Sequence, residues 1–324
     1  MKKRPLGKTG FSVSEIGFGG WGIGGDEFGN SYGHTDDDVS VAALHRALDL
    51  GVNIIDTADI YGHGHSEALI GRVLKERTQV TGAKPVVVTK GGINFYRPDS
   101  ARERGIEPDW TPYGVAHAVQ MSLERLGTEA LDVFLLMNPP VELLDRWKTW
   151  ETLSALQTAG KIQHYGVSVA DHADGVWLLK HNYPVSVLEV PYSLFFQGAA
   201  VELLPLARKR KVGVLAREPL ANGFLTGKYG PSPEFQIGDM RRELPAGYSE
   251  AMHEVGARLD FLAEQTNRTK AQAALRFALD QQGISSVVVG MKTGDQVEEN
   301  LKASNVPPIT ALEHEQIASA FFDT

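Results

Sequence analysis

Asp56, Tyr61 and Lys90 are the residues whose types and placement most invite chemistry. Asp56 ends the apolar run "VNIID", Lys90 ends "PVVVTK", and Tyr61 follows Asp56 closely in "DTADIYGHGHSE". Adjacent parallel strands lie about 4.8 Å apart, so an aspartate and a lysine at neighbouring strand ends can meet as a partly buried pair. A phenol of pKa about 10 is a poor acid at neutral pH unless a cation lies close. Lys90 would supply that cation, and Asp56 would hold Lys90. Taken singly, Asp56 or Lys90 reads more simply as a strand-end cap or a loop-anchoring ion pair. Met137 raises a different question: it follows "DVFLL" just before a double proline. A thioether has no proton to give and only a weak acceptor sulfur. Met137 therefore either fills space or stands where a working residue once was.

These residues need elements to present them. Short β-branched runs alternate with amphipathic stretches whose periodicity predicts helices over 37–50, 66–75, 112–126, 144–159, 175–181, 200–209, 249–265, 270–280 and 294–303. Strands this apolar suit a parallel sheet covered by helices, and eight β-then-α units close into a (β/α)8 TIM barrel of one domain, 1–324. The leading "RPLGKTGFSV" reads as a β-hairpin closing the bottom. A doubly wound open sheet is the competing α/β fold, but "GFGGWGIGG" lacks the clean glycine fingerprint followed by a helix. In a barrel, function gathers at the C-terminal strand ends: here Trp21, Asp56, Tyr61, Lys90, Met137, Ser168, Glu189, Arg217 and Gly290.

Composition excludes several classes. The net charge of −8 argues against a nucleic-acid or anionic-membrane partner. The basic run at 208–211 reads as a solvated helix C-terminus. The chain has no cysteine, which removes disulfides, thiolate metal sites and cysteine nucleophiles. No segment approaches the roughly 18 apolar residues of a membrane span, and "MKKRPLGKTGF" has no apolar core of a signal peptide, so the cytoplasm is the default expectation.

"DTADIYGHGHSEALIG", "VVVTKGG", "SLERLGTEALDVFLL", "GKIQHYGVSV", "EPLANGFLTGKY" and "VGMKTGDQVEENLKA" resemble the motif series of the aldo-keto reductases, in order and over nearly the whole chain. The resemblance implies a (β/α)8 barrel that binds NADP(H) at its C-terminal mouth and reduces an aldehyde, ketone or keto-sugar, with no metal. Tyr61 would give the proton and the nicotinamide the hydride, with Lys90 and Asp56 tuning Tyr61. The family's fourth catalytic residue, a histidine, is replaced by Met137, and His63, His65 and Asn138 are conceivable substitutes. The alternatives are a nicotinamide-binding sensor or interaction subunit with little turnover, and an internal-redox enzyme. The expected partner is a small carbonyl substrate; oligomerisation stays open.

The same resemblance assigns the cofactor. Gly20, Trp21, Asp56 and Ser168 would line the nicotinamide end, with Val169 where the family usually has asparagine. Glu189 stands for a glutamine and Arg217 for the aromatic residue that stacks on the ring. Glu189 and Arg217 are expected to pair, either rebuilding a packing contact or offering a cation to an acidic substrate. Pro219, Leu220, Gly223, Leu225, Thr226, Gly227 and Lys228 would follow the seventh strand beside the pyrophosphate, and the loop at 226–248, with Arg241 and Arg242, either folds over it or stays a surface loop. Past the strand end at Gly290, also a cofactor-lining residue, Lys292 and Thr293 would take the 2′-phosphate, with Gln296, Glu299 and Asn300 facing adenine. This favours NADPH, although Gln296 occupies a place often held by arginine. The insertion at 91–110 is the expected substrate wall.

Overall fold

The computed structural model describes residues 1–28, 31–81, 84–96, 107–264 and 267–322. Eight parallel strands close a barrel: β1 Ile16–Gly19, β2 Ile54–Asp56, β3 Val86–Gly91, β4 Leu131–Met137, β5 Ile162–Ser168, β6 Val187–Pro191, β7 Gly213–Arg217 and β8 Ser286–Gly290. Closure comes from β8 pairing with β1 in parallel, with Val287 opposite Ile16 and Gly290 opposite Gly19.

The helices in order are α1 Asp37–Asp49, α2 His65–Thr81, α3 Pro112–Leu126, α4 Thr149–Thr158, α5 His172–Lys180, α6 Leu203–Arg210, α7 Tyr248–Ala257, α8 Lys270–Asp280, α9 Gly294–Leu301 and α10 Ala311–Phe322. Their starts follow from local side chains. Asp36 accepts from the Val39 N–H, Thr111 accepts from Gly114 with Pro112 in the first turn, and Thr269 forms a reciprocal capping box with Gln272. Residues between strands and helices form one large core. A second core fills the barrel interior, from Ile54, Val88, Val133, Leu135, Val187, Leu215 and Val288. Leu6 and Val13 of the antiparallel hairpin Lys3–Pro5 and Ser12–Ser14 join that inner core. The hairpin fits closely: a Cβ on Gly7, whose φ is +56°, would stand 2.2 Å from the Gly213 nitrogen. It therefore closes the bottom as expected.

Two expected helices need correction, and a further helix lay outside the expectations. The helix predicted over 144–159 begins only at Thr149, because Lys148 takes a left-handed conformation while Trp147 stacks on Trp110 and the Thr149 hydroxyl donates to the Trp110 carbonyl. The stretch predicted over 249–265 divides into α7 and a short turn at Phe261–Glu264; Gln265 lies outside the described residues. Helix α10 was not anticipated, although "TALE" carries its start signal: Glu313 N–H donates to the Thr310 hydroxyl, and Thr310 N–H and hydroxyl donate back to the Glu313 carboxylate.

Candidate active site

Strand alternation builds the site directly on the inner core. Counting two residues up from Ile54, Val88, Leu135, Val187, Leu215 and Val288 gives Asp56, Lys90, Met137, Glu189, Arg217 and Gly290, because side chains of residues two apart share a face. Above the apolar layer lies one whose charges are Asp56, Lys90 and Glu189, with Arg217, opposite Pro191, higher still. Lys90 lies at the centre of that layer, 1 % exposed. Its Nζ donates to Asp56 Oδ1 at 2.5 Å and to the Thr57 carbonyl at 3.0 Å, and stands 3.4 Å from Glu189 Oε2. The same ammonium is 5.3 Å from the centroid of the Tyr61 ring. The expected trio is assembled, with Glu189 as an unexpected fourth member.

The electrostatics follow from burial and this charge cluster. Burial alone would lower the Lys90 pKa, but Asp56, Glu189 and Tyr61 together hold it well above its usual value, so the ammonium stays charged. Burial raises the Tyr61 phenol, with Asp56 and Glu189 adding to the rise and Lys90 and Arg217 opposing it. Burial also raises Asp56, and the Glu189 carboxylate raises it further, against the pull of Lys90.

The predicted Glu189–Arg217 pair is not formed. Glu189 is in register with Leu215, whereas Arg217 lies opposite Pro191, so Arg217 sits one layer higher. Arg217 instead meets the Glu218 carboxylate and donates to the Val169 carbonyl at 3.1 Å, while Glu189 turns to Lys90. Met137 packs with Trp21, Ile93 and Tyr96 against Ala58, Ile60, Tyr61 and Phe95. Trp21 stacks on Tyr61, with centroids 5.9 Å apart. Methionine therefore fills an apolar, aromatic wall. His63 is stacked between Phe28 and Phe95, at 4.3 and 4.6 Å. His65 is bound to Asp37 on the surface, and Asn138 occupies a positive-φ turn whose N–H donates to the Ser168 carbonyl. Of the three, His63 meets that wall, through Phe95. Of the insertion at 91–110, residues 97–106 lie outside the described residues, but Ile93, Phe95 and Tyr96 wall the mouth, and Trp110 donates to the Met137 carbonyl.

The sequence model of the Aldo/keto reductase family matches residues 15–321. The chain belongs to this family. It is 31% identical to the NADH-specific methylglyoxal reductase of Escherichia coli (strain K12), over 94% of each chain. It is also 31% identical to the aldo-keto reductase YhdN of Bacillus subtilis (strain 168), over 92% of this chain and 87% of that one. Among solved structures it resembles the glycerol dehydrogenase AKR11B4 from Gluconobacter oxydans, with a TM-score of 0.81 at 28% identity over 98% of this chain and 94% of that one. The protein is thus an aldo-keto reductase, a nicotinamide-dependent oxidoreductase acting on carbonyls.

A nicotinamide cofactor fits loose ends of this aldo-keto reductase. Glu189 Oε2 and Arg217 Nε are buried without a hydrogen-bond partner, and nothing stands where a Cβ on Gly290 or Gly294 would be. Ser168 is buried at the end of β5, and the Ser66 hydroxyl donates to the Gly20 carbonyl. After β7, Leu220 accepts from the N–H groups of Gly223 and Leu225, the Thr226 hydroxyl donates to Gly223, and Gly227 has φ +74°. These bonds fold Pro219 to Lys228 into a tight turn at the mouth.

The segment beyond that turn crosses to the loop after β1. Met240 N–H donates to the Ser31 carbonyl, and Arg241, clamped by Asp239 and Tyr229, lies over the rings of Tyr32, Tyr229 and Phe235. Lys292 Nζ joins the same clasp through the carbonyls of Tyr32, at 2.9 Å, and Gly33, at 3.3 Å. Thr293 caps α9, the Gln296 side chain accepts from Lys292 N–H, Glu299 accepts from the Thr269 hydroxyl, and Asn300 is buried.

One functional group of residues was missed. The Thr89 hydroxyl donates to Glu67, Arg125 donates to Glu67 and to the Tyr96 hydroxyl, and Tyr96 donates to Asp59 Oδ2. Together with Asp59 N–H on the Lys90 carbonyl, this chain ties the Tyr61 loop to β3 and α3. The signal was available: Asp59 and Glu67 flank Tyr61, one in its loop and one in the first turn of α2, beside apolar residues that predict burial.

Proposed function

We propose that this aldo-keto reductase uses NADPH to reduce a small aldehyde, ketone or keto-sugar, with Tyr61 giving the proton. The observation that carries this reading is the buried Asp56–Lys90 pair beneath the Tyr61 ring. With its pKa raised by burial, Tyr61 rests as a neutral phenol and is ready to donate. The reduced nicotinamide, when bound, supplies the hydride. As charge develops on the carbonyl oxygen, the Tyr61 proton passes to it, and the phenolate left behind is stabilised by Lys90 and Arg217. Asp56 and the Thr57 carbonyl fix the direction of the Lys90 ammonium.

The preference for NADPH rests on Lys292 beside the helix start at Thr293, with Arg241 and Lys228 adding positive charge nearby. One relative is named NADH-specific and another, from Schizosaccharomyces pombe, carries NADP(+) in its name. The wall formed by Trp21, Ile93, Phe95, Tyr96 and Met137 suits a carbonyl with an apolar or aromatic substituent. Oxidation of NADPH and of NADH, followed by absorbance with a panel of aldehydes, α-keto acids and keto-sugars, tests the reading. Absence of turnover on all of them would favour a sensor role.

A further inference from the structure

The charged layer at the mouth carries an uncompensated negative charge. Facing one another are Asp56 from β2, Tyr61 from the following loop, Lys90 from β3 and Glu189 from β6, with Arg217 and Glu218 above them at the end of β7. The other strands present uncharged residues there: Gly19, Met137, Ser168 and Gly290. Three carboxylates thus stand against two cations. Arg217 is paired with Glu218 and is the weakest of the influences on Asp56, so Asp56 and Glu189 chiefly share the charge of Lys90. Glu189 is 1 % exposed, and its Oε2 has no hydrogen-bond partner. A buried carboxylate without full compensation either takes up a proton or waits for a cation.

We propose that Glu189 couples cofactor binding to a proton: the free enzyme carries one proton on Asp56, beside the Glu189 carboxylate, and releases it when the cationic oxidised nicotinamide binds, but not when the neutral reduced form binds. This rests on the proposed use of a nicotinamide cofactor and on its ring lying beside Glu189, whose unpartnered Oε2 it would meet. The exchange balances without electron transfer, since a carboxylic acid becomes a carboxylate, one proton goes to solvent and the ring's positive charge takes its place. The upward push on Asp56 by burial and by Glu189, to about 7, is in keeping with a proton held near neutrality.

The direction follows by linkage. A group whose pKa falls on complex formation makes binding tighter as pH rises, up to the pKa of the free protein, and flat above it. The dissociation constant of NADP+ should therefore fall about tenfold per pH unit over part of the range below about 7, while that of NADPH stays flat. The ring charge is common to NAD+ and NADP+, so the effect does not depend on Lys292.

The test uses the full-length enzyme. Protein fluorescence quenching gives the dissociation constants of NADP+ and NADPH from pH 5.5 to 8.5, and an indicator dye in weakly buffered solution counts protons released on mixing. Expected are release with NADP+ only and a pH-dependent ratio of the two constants, both lost in Glu189→Gln. Parallel profiles, or no proton release with NADP+ below pH 7, would overturn the inference while leaving the cofactor reading standing. Release unchanged in Glu189→Gln would overturn the role of Glu189. The wild-type proton count stands even if that variant misfolds. Failure of both nucleotides to bind at any pH would bring down both readings.

Discussion

The Lys90 ammonium lies 5.3 Å from the centre of the Tyr61 ring while bonded at 2.5 Å to Asp56. Asp56, with the Thr57 carbonyl, holds the cation beside the phenol. Tyr61→Phe should therefore cut kcat/KM for carbonyl reduction by about 100-fold or more, the typical scale of a lost proton donor. NADPH affinity by fluorescence quenching should stay within a few-fold. Undiminished turnover would remove Tyr61 from the mechanism.

Gly62 has φ +59°, and a Cβ there would stand 1.9 Å from the Gly24 carbonyl oxygen. Gly62→Ala must therefore shift the peptide next to Tyr61. Turnover should drop by about 100-fold, as for a misplacement near 1 Å, with the circular dichroism spectrum retained. Wild-type activity would show that the loop relaxes at no catalytic cost.

Met137→His places a polar ring among Trp21, Ile93, Phe95 and Tyr96, where Met137 now packs. A buried imidazole nitrogen lacking a partner costs free energy, and we expect kcat/KM on the best substrate to fall about tenfold. A rise on that substrate and on a small aldehyde alike would show that the site is a degraded histidine site with room for its former occupant.

Lys292→Ala should weaken NADPH about tenfold more than NADH, since only the former carries a 2′-phosphate. Isothermal titration with both nucleotides reads the difference. Because Lys292 also bonds the Tyr32 and Gly33 carbonyls, an equal loss for the two would assign it to the clasp alone.

Asp59 gives a pH signature in stability. Burial, and then the Glu67 carboxylate, raise its pKa well above the usual range. A carboxyl with a raised folded pKa contributes most at acid pH, below its unfolded pKa, and loses that contribution as pH climbs through the folded value. Asp59→Asn, which cannot ionise, should therefore gain in Tm relative to wild type on going from pH 4 to pH 8. A constant difference across that range would refute the assignment.

Period-two and period-3.6 patterning made the barrel legible, and with it the layer from Asp56 to Gly290. Side-chain direction two residues apart is fixed by the pleat, so Asp56, Lys90 and Glu189 could be placed at one mouth from sequence. Which carboxylate meets which cation was not legible. It depends on strand stagger, which set Glu189 against Leu215 and left Arg217 a layer above. The Lys148 break was hidden for a similar reason: the contact that holds it comes from Trp110, on a distant loop.

The bottom hairpin binds the two ends of the barrel's strand order into one event. Arg4 donates to the carbonyl of Ile284, 280 residues away, and β1 finds its second neighbour only in β8. Contacts at such separation are entropically late in folding. A nascent chain emerging from the ribosome can form individual β–α units, but β1 keeps an unpaired edge until β8 has been synthesised. The charged layer around Lys90 stays wet until then, so the aldo-keto reductase should acquire its buried acid–base chemistry in a single late step.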